Sequence, residues 1–405
     1  MRVSIKPILN IVLAIIFLFG SILYFFGNLD NPVIPSIFPL TKDMVWISFS
    51  FLVTITSLHK NINNKYFLIG GYFFLLSAML FILILNSSQS FPTEFTRVFK
   101  NLLLYIFMAI FTFGILIKIL PKNYLLFSLH NFLLISLVVS IFFYLFHPVV
   151  SETGRFFGTY GSPNGSGFVA ASALMFMFMM LDLEICSKIR IYLTVTISLA
   201  VLILSASLSV LGSLFIFLFI YYAIKLFKAK KIYIKKSYFI PFIIFTLAGL
   251  ALLVQLVQSE SAELIIRIAA INSQNDTVLI RVIDNLKVIN MDCPNDVRLP
   301  YLLGCQSEDY LRLDSTLFSF AYNLGYLATF IFLCVLYSPF FTNFFKKRSN
   351  KISFLPSLLA FYFSVVPINL VMQHSFELFP TNIIYASIIV FSIFYSSKAD
   401  MLYNR

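Results

Sequence analysis

The sequence has few charged residues and carries no motif for nucleotide hydrolysis, metal binding or a serine nucleophile. Only 11% of its 405 residues are charged, whereas 60% are hydrophobic. A soluble domain normally has about twice this charged fraction, so the composition excludes an ordinary soluble enzyme. A Walker loop, a zinc motif, a dinucleotide fingerprint and a nucleophile elbow are all lacking. We therefore expect no cofactor and no metal.

Long apolar runs without strand-like alternation make up most of the chain. The bilayer core offers no water to backbone amides, so such runs must form helices. The pattern predicts an all-α integral membrane protein with about 12 transmembrane helices. We place them at 7–27, 44–58, 66–86, 101–121, 125–147, 165–182, 189–205, 209–227, 238–257, 316–340, 352–372 and 380–397.

These spans divide the chain into three parts. Residues 1–257 contain helices 1 to 9, residues 258–315 form a large external loop with a catalytic role, and residues 316–405 contain helices 10 to 12. The first span is too long for a signal peptide and no cleavage site follows it. Loops as long as 258–315 are usually functional, and the recurring Ile, Leu and Val residues there indicate amphipathic segments on the membrane surface.

The charge distribution predicts the orientation. With both termini in the cytoplasm, 20 of the 29 Lys and Arg residues face the cytoplasm and 14 of the 17 acidic residues face outward. This is the asymmetry of the positive-inside rule. The densest basic run then anchors the chain at anionic headgroups, and it gives no reason to expect nucleic acid as a partner. That run comprises Lys225, Lys228, Lys230, Lys231, Lys235 and Lys236.

Two cysteines, Cys293 and Cys305, fall in the external loop. In this orientation they face an oxidising compartment, which predicts a disulfide between them. Two unpaired thiols are the alternative, since two cysteines alone form no motif.

The stretch GRFFGTYGSPNGSGF, Gly154–Phe168, concentrates glycines around Arg155 at the predicted external face. Glycines let backbone amides approach a ligand, and a helix N-terminus attracts anions. Arg155 would add a bidentate phosphate donor. The alternative is a turn whose glycines allow close helix packing. Of the arginines in the external loop, Arg267 and Arg298 are interpreted as surface charges.

Three motifs together resemble the O-antigen ligase and Wzy-type polysaccharide polymerase superfamily, and the topology agrees with it. The first motif is the arrangement of Arg155, Gly158, Pro163 and Asn164. The second is Arg281 in TVLIRVIDNLKVI, followed by Gly304. The third is LDSTLFSFAYNLGYL, Leu313–Leu327, which contains Gly325.

Two departures favour a polymerase over a ligase. The ligase branch has a histidine eleven residues before the motif glycine, whereas this chain has Asp314 eleven residues before Gly325. The family often has a Ser-Arg pair near the seventh span, where this chain reads SASLSVLG.

The resemblance implies metal-independent glycosyl transfer at the periplasmic face of a bacterial inner membrane. The donor is a glycan on undecaprenyl diphosphate, and the acceptor is a lipid-linked repeat unit. Membrane lipid and a chain-length regulator are the expected partners. Arg155 and Arg281 stabilise the diphosphate leaving group. The further substrate-binding candidates are Arg312, Gly158 and Asn164.

The acceptor hydroxyl needs a general base. Asp314 is the positional candidate, with Glu308, Asp309 and His374 as reserves. Asp314 could instead cap the tenth helix.

Two rival functions remain open. A flippase for lipid-linked oligosaccharides, or another transporter, would also be apolar and span the membrane about twelve times. It should carry ionisable residues at mid-membrane depth, and the predicted spans have almost none. A nonenzymatic scaffold for envelope assembly is the third hypothesis.

Overall fold

The computed structural model describes residues 5–19, 37–58, 71, 101–121, 123–146, 163–205, 207–228, 315–339, 355–372 and 381–396. All regular structure in these ranges is helical. In chain order the α-helices are α1 Ile5–Ala14, α2 Ile37–Leu58, α3 Met108–Ile119, α4 Tyr124–Phe146, α5 Pro163–Asp182, α6 Lys188–Ser205, α7 Leu208–Lys228, α8 Thr316–Leu336, α9 Pro356–Phe363, α10 Val365–Met372 and α11 Thr381–Ser396. Segments of π-helix follow α1 over Ile15–Phe19 and precede α3 over Leu103–Phe107.

Four of the described helices are long and apolar enough to cross a membrane. Their membrane-crossing segments are Tyr124–Phe142, Asn164–Asp182, Lys188–Ser205 and Ser209–Leu226. The predicted all-helical membrane class is therefore confirmed for the described part of the chain. The predicted spans 238–257 and 66–86 (apart from Gly71) lie outside the described residues, as does the external loop up to residue 314.

The second helix begins earlier than its hydropathy predicted. The predicted span starts at residue 44, whereas α2 starts at Ile37 and includes Lys42 and Asp43. Hydropathy falls at these two charged residues, but a helix continues as long as its backbone hydrogen bonds do. Asp43 is thus a buried helical residue, 6% exposed.

The eleventh predicted span, 352–372, is broken at Ser364. Its two halves are α9, which ends at Phe363, and α10, which starts at Val365. Pro367 in α10 explains the break, because proline lacks an N–H and its ring clashes with the carbonyl four residues earlier, here that of Phe363. The Ser364 hydroxyl donates to the Ala360 carbonyl at 2.6 Å, which satisfies one acceptor at the end of α9.

Helix α5 is the centre of the bundle. Every residue from 165 to 181 is buried, and α4, α6, α7, α9 and α11 pack around it. Its first half is rich in Gly, Ala and Ser, which let neighbouring helices approach closely. Its second half, MFMFMM, packs with flexible Met and bulky Phe side chains, all of them buried.

Aromatic contacts show that α5 and α11 run in parallel. Phe168 stacks on Tyr385 with ring centroids 5.0 Å apart, and further along both helices Phe176 meets Phe391 at 5.7 Å. Both helices therefore begin at one end of the bundle. We call this the Pro163 end, defined by the N-termini of α5 and α11, and we call the opposite end, where α5 finishes, the Asp182 end.

Candidate functional site at the Pro163 end

Asn164 is the predicted site residue that the structure describes. The other predicted site residues lie outside the described residues: Arg155, Gly158, Arg281, Arg312, Glu308, Asp309 and Asp314. The same holds for His374, Cys293 and Cys305, so their predicted roles and the disulfide stay predictions.

Asn164 is the second residue of α5, and its side chain contacts the turn before α7. The Ser207 hydroxyl donates to Asn164 Oδ1 at 2.6 Å. Close by, a Cβ added to Gly167 would lie 3.2 Å from Val210 Cγ2 and 3.3 Å from Ser207 Cβ. Gly167 therefore lets α5 and α7 pack closely. Close helix packing was the alternative to ligand binding for the glycines of this stretch.

A chain of contacts leads from the start of α5 to α10. Phe168, one turn after Asn164, stacks on Tyr385 of α11. The Tyr385 hydroxyl in turn donates to Asn369 Oδ1 of α10 at 2.7 Å. All three side chains are buried, so this polar contact is shielded from water.

The third motif begins at the same end. Ser315 caps α8, because its Oγ accepts from the Phe318 N–H at 3.3 Å. The Ser315 hydroxyl also donates to the Leu370 carbonyl, next to Asn369, at 3.1 Å. The N-cap of α8 is therefore Ser315, whereas the sequence allowed Asp314 at that position. The helices that carry the end of the first motif and most of the third, α5 and α8, are linked through α10 and α11.

Gly325 interrupts α8 nine residues after its first residue. Its φ of 84° and ψ of 166° lie outside the helical region, in a conformation that non-glycine residues rarely adopt. The Thr329 hydroxyl donates to the Gly325 carbonyl at 2.9 Å and so satisfies an acceptor at the kink. The glycine of the third motif is therefore required by backbone geometry.

The amides of α10 and α11 were not among the site residues predicted from the sequence. Asn369 and Asn382 are 3% and 0% exposed. A signal for them exists, because polar side chains inside apolar helices of membrane proteins usually mark helix contacts or functional sites. The motifs did not predict Asn369 and Asn382, because neither residue belongs to one of the three motifs.

A buried acid also lies near the start of α2. The Tyr105 hydroxyl donates to Asp43 Oδ1, and Trp46 Nε1 donates to the Leu104 carbonyl at 2.9 Å. Tyr105 and Leu104 belong to the π-helix before α3, whose wider turn changes the backbone pairing. This segment packs against α11.

The Asp182 end contains a buried ion pair. Asp182 Oδ1 lies 2.7 Å from Lys225 Nζ, and the carboxylate also accepts from the Tyr221 hydroxyl at 3.0 Å and the Ser357 N–H at 2.9 Å. Three helices, α5, α7 and α9, are joined at this point. Each described contact of this carboxylate comes from a helix of the bundle, so the ion pair stabilises the packing of these helices.

In the loop between α5 and α6, burial raises the pKa of the Cys186 thiol to about 11, although the neighbouring Arg190 partly opposes the increase. The thiol is therefore protonated and unreactive at neutral pH.

Among the described residues, no three His, Cys, Asp or Glu side chains group as metal ligands. What the Pro163 end offers is uncharged amides, hydroxyls and the N-termini of three helices, whose dipoles favour an anion. Comparison with protein-family models, with curated proteins and with solved structures found no match for the chain.

Proposed function

We propose that the protein is a polysaccharide polymerase. It transfers a growing glycan from undecaprenyl diphosphate to a lipid-linked repeat unit at the periplasmic face of a bacterial inner membrane. The proposal rests on the resemblance of three motifs to the O-antigen polymerase and ligase superfamily. The observation that supports it best is that α5, which begins within the first motif, and α8, which contains most of the third, begin at the same end of the bundle.

The proposed topology has twelve spans and cytoplasmic termini. Several contacts support the alternation, because they join helix ends that twelve alternating spans would put on one side. Ser207 meets Asn164, Ser315 meets Leu370, and the Tyr395 hydroxyl at the end of α11 donates to Asn123 before α4 at 2.7 Å. A reporter fused within residues 270–300 should be external, and one within 228–236 cytoplasmic. Both reporters on one side would contradict this orientation.

In the proposed mechanism the acceptor hydroxyl loses its proton to Asp314 and attacks the anomeric carbon of the donor. The bond from that carbon to the diphosphate oxygen breaks, and the lipid diphosphate leaves with the electron pair. Arg155 and Arg281 stabilise the charge that develops on the leaving group. The N-termini of α5 and α8 would add to this positive potential.

Glycan ladders of cells that lack the protein test the function directly. A polymerase predicts single repeat units, whereas the absence of all external repeats would indicate a flippase. The flippase gains some support from Asp43, an ionisable residue buried within α2. Unchanged long chains would contradict both functions.

Arginine and aspartate variants test the site. Arg155→Lys and Arg281→Lys should each reduce polymerisation by roughly ten-fold to more than a hundred-fold, since lysine lacks the planar fork. Arg298→Lys is the control and should stay near wild type. Asp314→Asn should abolish turnover at normal protein abundance if Asp314 is the base, and Ser315 keeps the helix cap intact in this variant. Active variants at both arginines would contradict the diphosphate site.

A further inference from the structure

Asn382 is a fully buried amide whose amino group has no hydrogen-bond partner among the residues that the structure describes. Its Oδ1 accepts from the Ile383 N–H at 2.9 Å. This contact fixes the orientation of the amide, because exchanging oxygen and nitrogen would place the amino group against another N–H. A buried donor without an acceptor is destabilising, and such groups often have a functional reason.

Other unpaired polar atoms among the described residues do not offer this chemistry. The hydroxyls of Ser50, Thr112, Ser198 and Ser357 can rotate to find weak acceptors. The Thr194 hydroxyl donates its proton to the Arg190 carbonyl at 2.7 Å, so it accepts from His130 Nε2, which lies 3.1 Å away. Because Nε2 then carries the proton of the neutral ring, His130 Nδ1 is an acceptor and not a donor. Asn382 is the fixed donor at the Pro163 end.

The N-termini of α5 and α11 lie side by side. The stacked rings of Phe168 and Tyr385 come five and four residues after the first residues of these helices. At 1.5 Å per residue, the two helices start about 7.5 Å and 6 Å beyond the ring stack, and so lie nearly level. Each helix has asparagine as its second residue, Asn164 and Asn382.

We propose that Asn382 donates a hydrogen bond to a phosphate group bound between the N-termini of α5 and α11. Two parallel helix dipoles make this end positive, which favours an anion over a neutral sugar hydroxyl. The unpaired amino group then gains the acceptor that the described part of the protein does not supply. Resting on the proposed function, the phosphate belongs to the diphosphate of the lipid-linked donor.

Binding of undecaprenyl diphosphate to the purified full-length protein in detergent tests the proposal, with undecaprenol as the lipid without phosphate. The diphosphate should raise the thermal unfolding midpoint of the wild type, and undecaprenol should not. Asn382→Asp keeps the oxygen that accepts from Ile383, and a carboxylate suits a helix N-terminus, so the variant should fold. Its affinity for the diphosphate should fall roughly ten-fold to more than a hundred-fold.

Asn123→Asp is the matched control. Asn123 lies at the Asp182 end, its Oδ1 accepts from Tyr395, and aspartate tolerates its φ of 65°. This variant adds the same charge and should keep wild-type affinity. If Asn382→Asp does not fold, Asn382→Leu, which removes the donor without adding charge, takes its place. Wild-type affinity in the variant, or no diphosphate-dependent shift in the wild type, would overturn the proposal.

The same measurements separate this inference from the polymerase function. Diphosphate binding lost in Asn382→Asp, together with normal glycan ladders in cells lacking the protein, would support the phosphate site and reject the polymerase. Single repeat units in those cells, together with undiminished binding by Asn382→Asp, would support the polymerase and reject the role of Asn382.

Discussion

Removing one partner of the ion pair between Asp182 and Lys225 should destabilise the bundle, and the two partners should differ. The Asp182 side chain is 1% exposed, whereas the Lys225 side chain is 28% exposed. Lys225→Met leaves a buried carboxylate that can reach no water. Asp182→Asn leaves an ammonium on a long stem, which can move its charge to the membrane surface.

The contacts give the size of each effect. Breaking a buried ion pair costs about 3–5 kcal/mol, but here the carboxylate keeps the donors of Tyr221 and Ser357. We therefore expect Lys225→Met to lower the free energy of unfolding by about 2–3 kcal/mol. Asp182→Asn loses the charge and one accepted hydrogen bond, and should cost about 1–2 kcal/mol.

Denaturant titration in detergent micelles measures these free energies. The double variant should be about 1–2 kcal/mol more stable than the sum of the single effects predicts, because the second change removes a charge already left unpaired. Lys188→Met is the control: Lys188 is exposed at the start of α6, and its loss should change stability by less than about 0.5 kcal/mol. Additive effects, or a stable Lys225→Met, would refute this account of the pair.

Three further predictions concern single residues. Gly325→Ala should lower stability by about 1–3 kcal/mol because of its φ of 84°, while Gly114→Ala, with no atom within 4 Å of the added Cβ, should be neutral or stabilising in the same titration. Gly167→Ala should lower the thermal midpoint because its Cβ would lie 3.2 Å from an α7 side chain, and Gly212→Ala, which meets nothing within 4 Å, should not. Alkylation of Cys186 should be slow at neutral pH and accelerate as pH approaches about 11, since burial disfavours the thiolate, and fast alkylation at neutral pH would contradict its burial.

Hydropathy predicted most described helices to within a few residues, because a transmembrane helix must be apolar over the thickness of the bilayer. Span 189–205 corresponds to Lys188–Ser205, and span 209–227 to Leu208–Lys228. The errors occurred where the ends of a helix do not coincide with the ends of an apolar run. Polar residues within the first turns of α2 lowered its hydropathy, and Pro367 broke a continuous apolar run.

The candidate site was less predictable, because a motif marks residues along the chain whereas a site is made by neighbours in space. Asn164 came from the motif comparison, but its partner Ser207 lies 43 positions away in a turn that was considered only for a missing arginine. Asn369 and Tyr385 belong to no motif, and their contact joins residues of two helices that lie 16 positions apart in the chain.

Polar residues in this chain carry more information than their small number suggests. In a soluble protein a serine or asparagine in a helix is usually solvated, whereas in an apolar bundle each buried polar atom requires a partner within the protein. Ser315, Ser207 and Tyr385 all have such partners, and these contacts connect helices. Among the described buried atoms without a partner, the Asn382 amino group is the amide donor, and it lies at the end where the helices of two motifs begin. An unpaired donor there is costly for folding alone, and a bound phosphate gives it a physical reason.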